Sequence, residues 1–327
     1  MVFSRKFVPV TQIRRLRKGM VINMYLHRDR ETFRNMIEQA ADSSGRIPSV
    51  VEKDYYVTLI LKLLSEQLKN CVFKGGTSLS KGFQVIDRFS EDIDITFNEY
   101  IGEHRRKKLK NVVLKGISEE LGMPVANWEE AQSDRDYNAY LFSYRSVFGI
   151  QDDRLPQYVK LETALGSYSF PTQAVEIRNY IGDYLEGRGR TDLTEQFSLN
   201  KFTMNLQSLE RTYIDKVFAL CDYYLQGKSR RCSRHLYDVY KLTPLIKFDD
   251  GFAALIKDVR EQRSKMQTCP SAQDAVNVPA VILEFCDNSF YREDYQAITN
   301  YFAADTVPYE KVIGQMRELA AADLFVR

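Results

Sequence analysis

The stretch Phe73–Phe97, FKGGTSLSKGFQVIDRFSEDIDITF, changes its hydrophobic period twice. Cys71, Val72 and Phe73 form the short apolar run of a buried strand. Leu79, Phe83 and Ile86 recur at helical spacing, and Ile93-Asp94-Ile95-Thr96-Phe97 alternates as a strand does. The unit reads strand, glycine turn, helix, strand. In an extended segment Asp92 and Asp94 point to one face while Ile93 and Ile95 turn into the core. Two carboxylates so placed can share a divalent cation, and hard oxygen ligands suit Mg2+ or Mn2+. Ahead of them, Gly75-Gly76 leads straight into a helix, whose unpaired amides and positive dipole end form an anion site. Thr77 and Ser78 add hydroxyls, and Lys81 adds a positive charge one turn along. The set suits a nucleoside triphosphate with its metal, since two like charges in an apolar run are costly to bury without a cation. The spacing matches neither G-x-x-x-x-G-K-[ST] nor G-x-G-x-x-G, which disfavours the common ATPases and dehydrogenases.

Around this stretch, 327 residues with 44% hydrophobic content supply core material for two lobes. Lys+Arg of 46 against Asp+Glu of 44 leaves a net charge of +2, so any nucleic-acid surface must be local. The five cysteines are scattered without the close pairs of a zinc site, and are expected to be reduced, packed thiols. No apolar run has the roughly 20 residues of a membrane span, and no secretory signal is evident, so a cytoplasmic protein is expected. Arg14, Arg15, Arg17 and Lys18 make residues 1–20 a basic arm or surface helix. Helical patterning begins near Arg30, and a helix is predicted over Glu52–Glu66. A charged helix follows at Glu103–Leu121, then strands at 138–148, 157–163 and 173–181. The Gly-rich, charged span Gly182–Asn200 is the candidate boundary. From Leu206 onward the period is helical, with Leu206, Leu209, Tyr213, Leu220 and Tyr224 on one stripe. Later helices are predicted at 233–242, 252–265, 294–302 and 309–324. The expected fold is α+β: residues 1–198 an α/β lobe with a small mixed sheet, residues 199–327 an all-helical lobe closing the cleft.

The order Gly-Gly-Thr-Ser, helix, hydrophobic-Asp-x-Asp-hydrophobic resembles the DNA polymerase β-type nucleotidyltransferases. The longer string Lys74-Gly-Gly-Thr-Ser-Leu-Ser-Lys81 with Arg88-Phe-Ser-Glu-Asp-Ile-Asp94 is similar to the AbiEii toxin family within that superfamily. Val51-Glu-Lys-Asp-Tyr55, Glu210-Arg-Thr-Tyr-Ile-Asp-Lys216 and Arg234-His-Leu-Tyr-Asp238 resemble further segments of that family. The resemblance implies a toxin nucleotidyltransferase of a type IV toxin–antitoxin or abortive-infection system. It also implies an RNA acceptor, with the 3′ end of tRNA modified in some members, and a neighbouring antitoxin gene whose product need not touch the toxin.

Polymerase-like transfer commonly uses a third carboxylate on a later strand. Glu162 in Tyr158-Val-Lys-Leu-Glu-Thr163 is the candidate, and Lys160 shares its face. Lys216 falls within an apolar stripe, as a snorkelling lysine would. The resemblance implies that it reaches nucleotide phosphate in one cleft with Asp238. Asp238 is expected to orient Lys216 or to act as a general base. Arg234, one turn earlier, contacts phosphate or pairs with Asp238, and His235 reads as a packed or capping residue. Basic runs at Arg105–Lys110, Lys228–Arg234 and Arg260–Lys265 read as solvated helix faces. The second, beside the Arg234–Asp238 segment, is placed to guide RNA. The expected activity is metal-dependent transfer of a nucleoside monophosphate from an NTP to an acceptor hydroxyl. Two other readings of the same residues are a nucleotide- or RNA-binding protein of this fold and a metal-dependent phosphoesterase.

Overall fold

Helix α2, Pro48–Gln67, is buried on nearly every side, with Val51, Tyr55, Ile60, Leu61 and Leu64 in the core and Glu52, Lys53 and Asp54 buried among them. A computed structural model describes residues 25–133, 135–149, 155–166, 168–299 and 305–326. The basic arm expected at residues 1–20 lies outside the described residues. Helix α1, Arg30–Ser44, is capped by Asp29, whose side chain accepts from the Thr32 amide, and ends at Gly45 with φ 66°. It packs Phe33, Met36 and Ile37 against α2.

Strand β1, Cys71–Lys74, enters the glycine turn, from which α3, Gly75–Ser78, continues as a π-helical turn over Leu79–Phe83. Ile86 lies beyond that helix, because Gln84 at φ 56° turns the chain away. Strand β2 is Ile93–Phe97. The charged helix spans Glu103–Leu121 as α4, Glu103–Lys108, a π-helical turn, Leu109–Leu114, and α5, Lys115–Leu121. Strands β3, Tyr137–Ser143, β4, Tyr158–Ala164, and β5, Thr172–Ile177, follow near their expected places.

The span Gly182–Asn200 forms helices α6, Tyr180–Gly187, and α7, Thr191–Gln196, and is followed by strand β6, Phe202–Gln207. The sheet is six-stranded and mixed, in the order β3-β4-β2-β1-β6-β5. Leu206, read from sequence as the start of a helical stripe, belongs to β6. Its pairing with Phe73 of β1 on one side and Gln173 of β5 on the other outweighs local period. The division after residue 198 would separate β6 from the sheet in which it is an interior strand; the apolar core of the sheet layer extends through Leu206.

Alternation along the strands gives the sheet two unlike faces. Phe73, Ile93, Ile95, Leu161, Tyr140, Phe142 and Leu206 face α1, α2, α5 and α6 and form one core. The opposite face carries Lys74, Asp94, Lys160, Glu162 and Gln207. A second core unites α8, Leu209–Leu225, α9, Arg234–Leu242, α10, Asp250–Ser264, α11, Val278–Asp287, and a final helix, Tyr309–Ala321. Leu79 and Ile86, from the segment between β1 and β2, belong to this second core. The glycine turn therefore lies where the chain passes from one apolar core to the other. All five cysteines are free, four of them buried. Among the described residues, no helix is long and apolar enough to cross a membrane.

Candidate active site

Gly75 sits at φ 79°, which favours glycine, and a Cβ there would collide with the Asp94 carboxylate. At Gly76 a Cβ would stand 2.5 Å from Arg88 Nη2 and 2.8 Å from Ser90 Oγ. The two glycines thus let the turn close onto the β2 acids and the loop before them. Thr77 Oγ1 donates to Ser90 Oγ at 2.9 Å, and Ser78 Oγ donates to the Gly75 carbonyl at 2.9 Å. Both hydroxyls are buried and secure the turn. Lys81, expected to face phosphate, instead pairs with Asp54 of α2, whose other oxygen accepts from the Tyr180 amide at 3.1 Å. The helix puts Lys81 next to α2, and a buried ammonium takes the nearest carboxylate.

Asp94 lies beside Glu162 in the parallel β2–β4 register and opposite Lys74 in the antiparallel β1–β2 register. Burial raises the Asp94 carboxyl above its ordinary range, and the hydrogen bond and charge of Glu162 raise it further. Burial would raise Glu162 also, but hydrogen bonds from Asp94, Lys160 and Tyr137 hold it low. Lys160 pairs with Glu162 on the face expected for it, and the Tyr137 hydroxyl donates to Glu162 Oε1.

Asp92 lies at the mouth of this pair, 3.8 Å from Arg234 Nη2. The Arg234 side chain is 40% exposed. Its pairing with Asp92 rather than directly with Asp238 corrects one of the two expectations for it. Among the described residues no three His, Cys, Asp or Glu side chains gather closely enough to hold a metal ion. The expected set of Asp92, Asp94 and Glu162 is assembled only in part, since Arg234 engages Asp92 while Asp94 and Glu162 engage each other.

Behind these acids, Asp238 on α9 is fully buried and bound on both oxygens. Arg88 donates through Nε to Oδ1 and through Nη2 to Oδ2, each at 2.6 Å, and Lys216 Nζ of α8 lies 2.6 Å from Oδ2. Although burial acts to raise it, the Arg88 and Lys216 charges hold the Asp238 carboxyl far below the usual range. Such a group orients its partners and is a poor proton acceptor. His235 Nδ1 is 3.4 Å from Lys216 Nζ, and its ring stacks on Tyr223. Burial, with the charges of Lys216 and Arg234, pushes the imidazole well below its ordinary pKa, so it is neutral. Lys216 is therefore enclosed, and the accessible cations at the acids are Arg234 and Lys160.

The Val51–Tyr55 segment supports both halves of the site. Glu52 accepts from Ser146 Oγ at 2.6 Å and from the Val147 amide at 2.8 Å, while Asp54 holds Lys81. Lys53 donates to Glu91 at 2.5 Å and to the Pro156 carbonyl at 3.0 Å, fixing the residue next to Asp92. Charged residues in the middle of an apolar helix were the sequence signal for these roles. Arg88 was visible only as part of the string before the acids. Nothing local in the sequence indicates Tyr137, which β3–β4 pairing brings to Glu162.

Among the basic runs, Asp294 ties down the loop before α9 through the Arg231 amide at 2.7 Å and the Ser233 hydroxyl at 2.6 Å. Arg231 is exposed, and its charge acts on both Lys53 and Glu91. The run Arg260–Lys265 is not one solvated face: Arg263 is largely buried, pairing with Asp222 at 2.6 Å and Asp215 at 3.3 Å.

The family model for the nucleotidyl transferase AbiEii toxin, type IV TA system, matches residues 60–313, from α2 through the start of the final helix. Curated proteins return no match. The chain belongs to the AbiEii family of nucleotidyl transferase toxins of type IV toxin–antitoxin systems.

Proposed function

We propose that the protein transfers a nucleoside monophosphate from a nucleoside triphosphate to a hydroxyl of RNA, the acceptor being the 3′ end of tRNA in the cytoplasm. It acts as the toxin of a pair whose antitoxin is encoded nearby and need not contact it. The observation that carries this reading is the contact of the Asp94 carboxylate with the Gly75 turn, with Glu162 alongside in register. A polyphosphate held by the turn meets the acids at once.

In the reaction the acceptor oxygen attacks the α-phosphorus, the bond from that phosphorus to the bridging oxygen breaks, pyrophosphate leaves and the acceptor proton is released. Positioning and charge stabilisation make up most of the work. The amides of the Gly75–Gly76 turn bind non-transferred phosphate oxygens. Arg234, exposed beside Asp92, stabilises charge that builds on the leaving group. Arg88 and Lys216, held by Asp238, keep the turn and α8 in fixed relation and add positive potential behind it. Asp92, Asp94 and Glu162 would hold a divalent cation, Mg2+ or Mn2+, which would neutralise the triphosphate and the departing pyrophosphate. Asp94 and Glu162, side by side in register, supply oxygen donors suited to it, and Asp92 would complete the set on leaving Arg234. Arg231, on the basic loop beside Glu91, supports RNA as the acceptor.

The test is incubation with each labelled nucleoside triphosphate, Mg2+ and total RNA. Label on RNA is expected, and it is abolished in Asp92→Ala and Asp94→Ala with the fold retained. Shortened RNA without label would instead mean hydrolysis, and bound nucleotide with neither outcome would mean a sensor. Either variant labelling RNA as well as the parent would refute the site.

A further inference from the structure

Tyr137 opens the edge strand β3 and is 54% exposed, although its hydroxyl is bound to Glu162. Two other aromatic pairs near the strands are used internally: Tyr56 stacks on Tyr144 at 4.4 Å, and Trp128 packs near Tyr140 at 6.2 Å, while the exposed rings Tyr100, Tyr168 and Phe170 lie in loops outside the strands. Among the described residues no other aromatic ring lies against Tyr137. Its register partner is Ala164, which shares a face with Glu162, so the ring stands on the polar face beside the acids. A small partner leaves that ring uncovered. The hydroxyl bond to Glu162, which Lys160 also engages, anchors the far end of the side chain beside the acids.

Sheet order gives this ring a direction relative to the chemistry. Crossing the sheet from the glycine turn after β1, one meets Asp94 on β2, Glu162 on β4, and then Tyr137 on β3. Transfer at phosphorus keeps attacking and leaving oxygens roughly in line. With the leaving pyrophosphate on the turn side, the attacking hydroxyl enters from the β3 side. We propose that the Tyr137 ring is the stacking platform for the terminal base of the RNA acceptor, fixed through Glu162 so that the terminal hydroxyl lies at the acids. The inference rests on the transfer reading above and adds to it the acceptor subsite. Stacking of this kind tolerates any base, because every base offers a π face. Lys160, 33% exposed on the same face, lies within reach of the acceptor backbone.

Apparent KM values for RNA and for the nucleoside triphosphate are to be measured separately for the parent, Tyr137→Ala, Tyr137→Phe and Tyr137→Trp. Tyr137→Ala should raise the RNA KM roughly 5- to 100-fold and leave the nucleotide KM within about twofold. Tyr137→Phe and Tyr137→Trp should keep the RNA KM within a few-fold of the parent, since each retains an aromatic face. The platform is overturned if Tyr137→Ala leaves the RNA KM unchanged, if the nucleotide KM rises in its place, or if Tyr137→Phe loses as much as Tyr137→Ala. Fluorescence anisotropy of a labelled RNA with a single-stranded 3′ tail reads the same subsite without turnover. An inactive parent would refute transfer, while weaker tail binding by Tyr137→Ala than by the parent would still support the platform, and equal binding would end it.

Discussion

Replacing Asp238 with alanine leaves two cations, Arg88 and Lys216, buried with side chains only 4% and 5% exposed. Removing one partner of a buried ion pair costs about 3–5 kcal/mol, because the stranded charge has no solvent to replace it. Here a single carboxylate serves a bidentate arginine and a lysine, so the upper part of that range applies. The melting temperature should fall by on the order of 5–15 °C. Asp92→Ala is the internal comparison. Its partner Arg234 is 40% exposed and 3.8 Å away, so the loss of that pair should cost under about 1 kcal/mol. Both variants are expected to lose transfer, but only one to lose stability. Thermal melts by far-UV circular dichroism, paired with the RNA-labelling assay, separate the two. The dependence on pH has a definite sign. The folded Asp238 carboxyl is depressed, so its contribution is full above the unfolded carboxylate value of about 4 and is lost as pH falls below it. An Asp238→Ala protein melting within about 2 °C of the parent at neutral pH would refute the argument that this carboxylate balances two enclosed charges.

Gly75→Ala should reduce turnover by about 100-fold or more, since a displacement of the Asp94 carboxylate by the new methyl group is transmitted to the reacting atoms. Single-turnover kinetics check it, and near-parental turnover would show that the turn yields freely. Asp94→Asn should alter the response of stability to divalent cations. Because the folded Asp94 carboxyl is raised, its ionisation destabilises the cation-free protein increasingly as pH rises above about 4. In EDTA at alkaline pH the variant should therefore melt at or above the parent, and Mg2+ should raise the parent's melting temperature more than the variant's. Equal shifts on adding Mg2+ would count against a cation at Asp94.

The fold's decisive unit was legible from the residues of one segment. Alternation around Asp94 and helical spacing after Gly75-Gly76 are local steric facts, and they placed β1, the glycine turn and β2 where the structure has them. The same logic put Lys160 and Glu162 on one face of β4. It failed where a partner across the molecule outweighed local period. Leu206 scans as helical but completes β6, since Phe73 and the sheet core offer it more burial than a helix stripe would. Lys81 has the right spacing for phosphate, yet Asp54 on α2 is nearer.

From its sequence alone this chain determined its family, its strand–turn–helix–strand unit and the face on which the acids stand, because these follow from repeat distances along the backbone. Which charges meet was decided only in three dimensions. The pairing of Arg88 with Asp238, of Arg234 with Asp92, and of Tyr137 with Glu162 joins residues far apart in sequence, and Coulombic partners are chosen by distance in space after the core has formed.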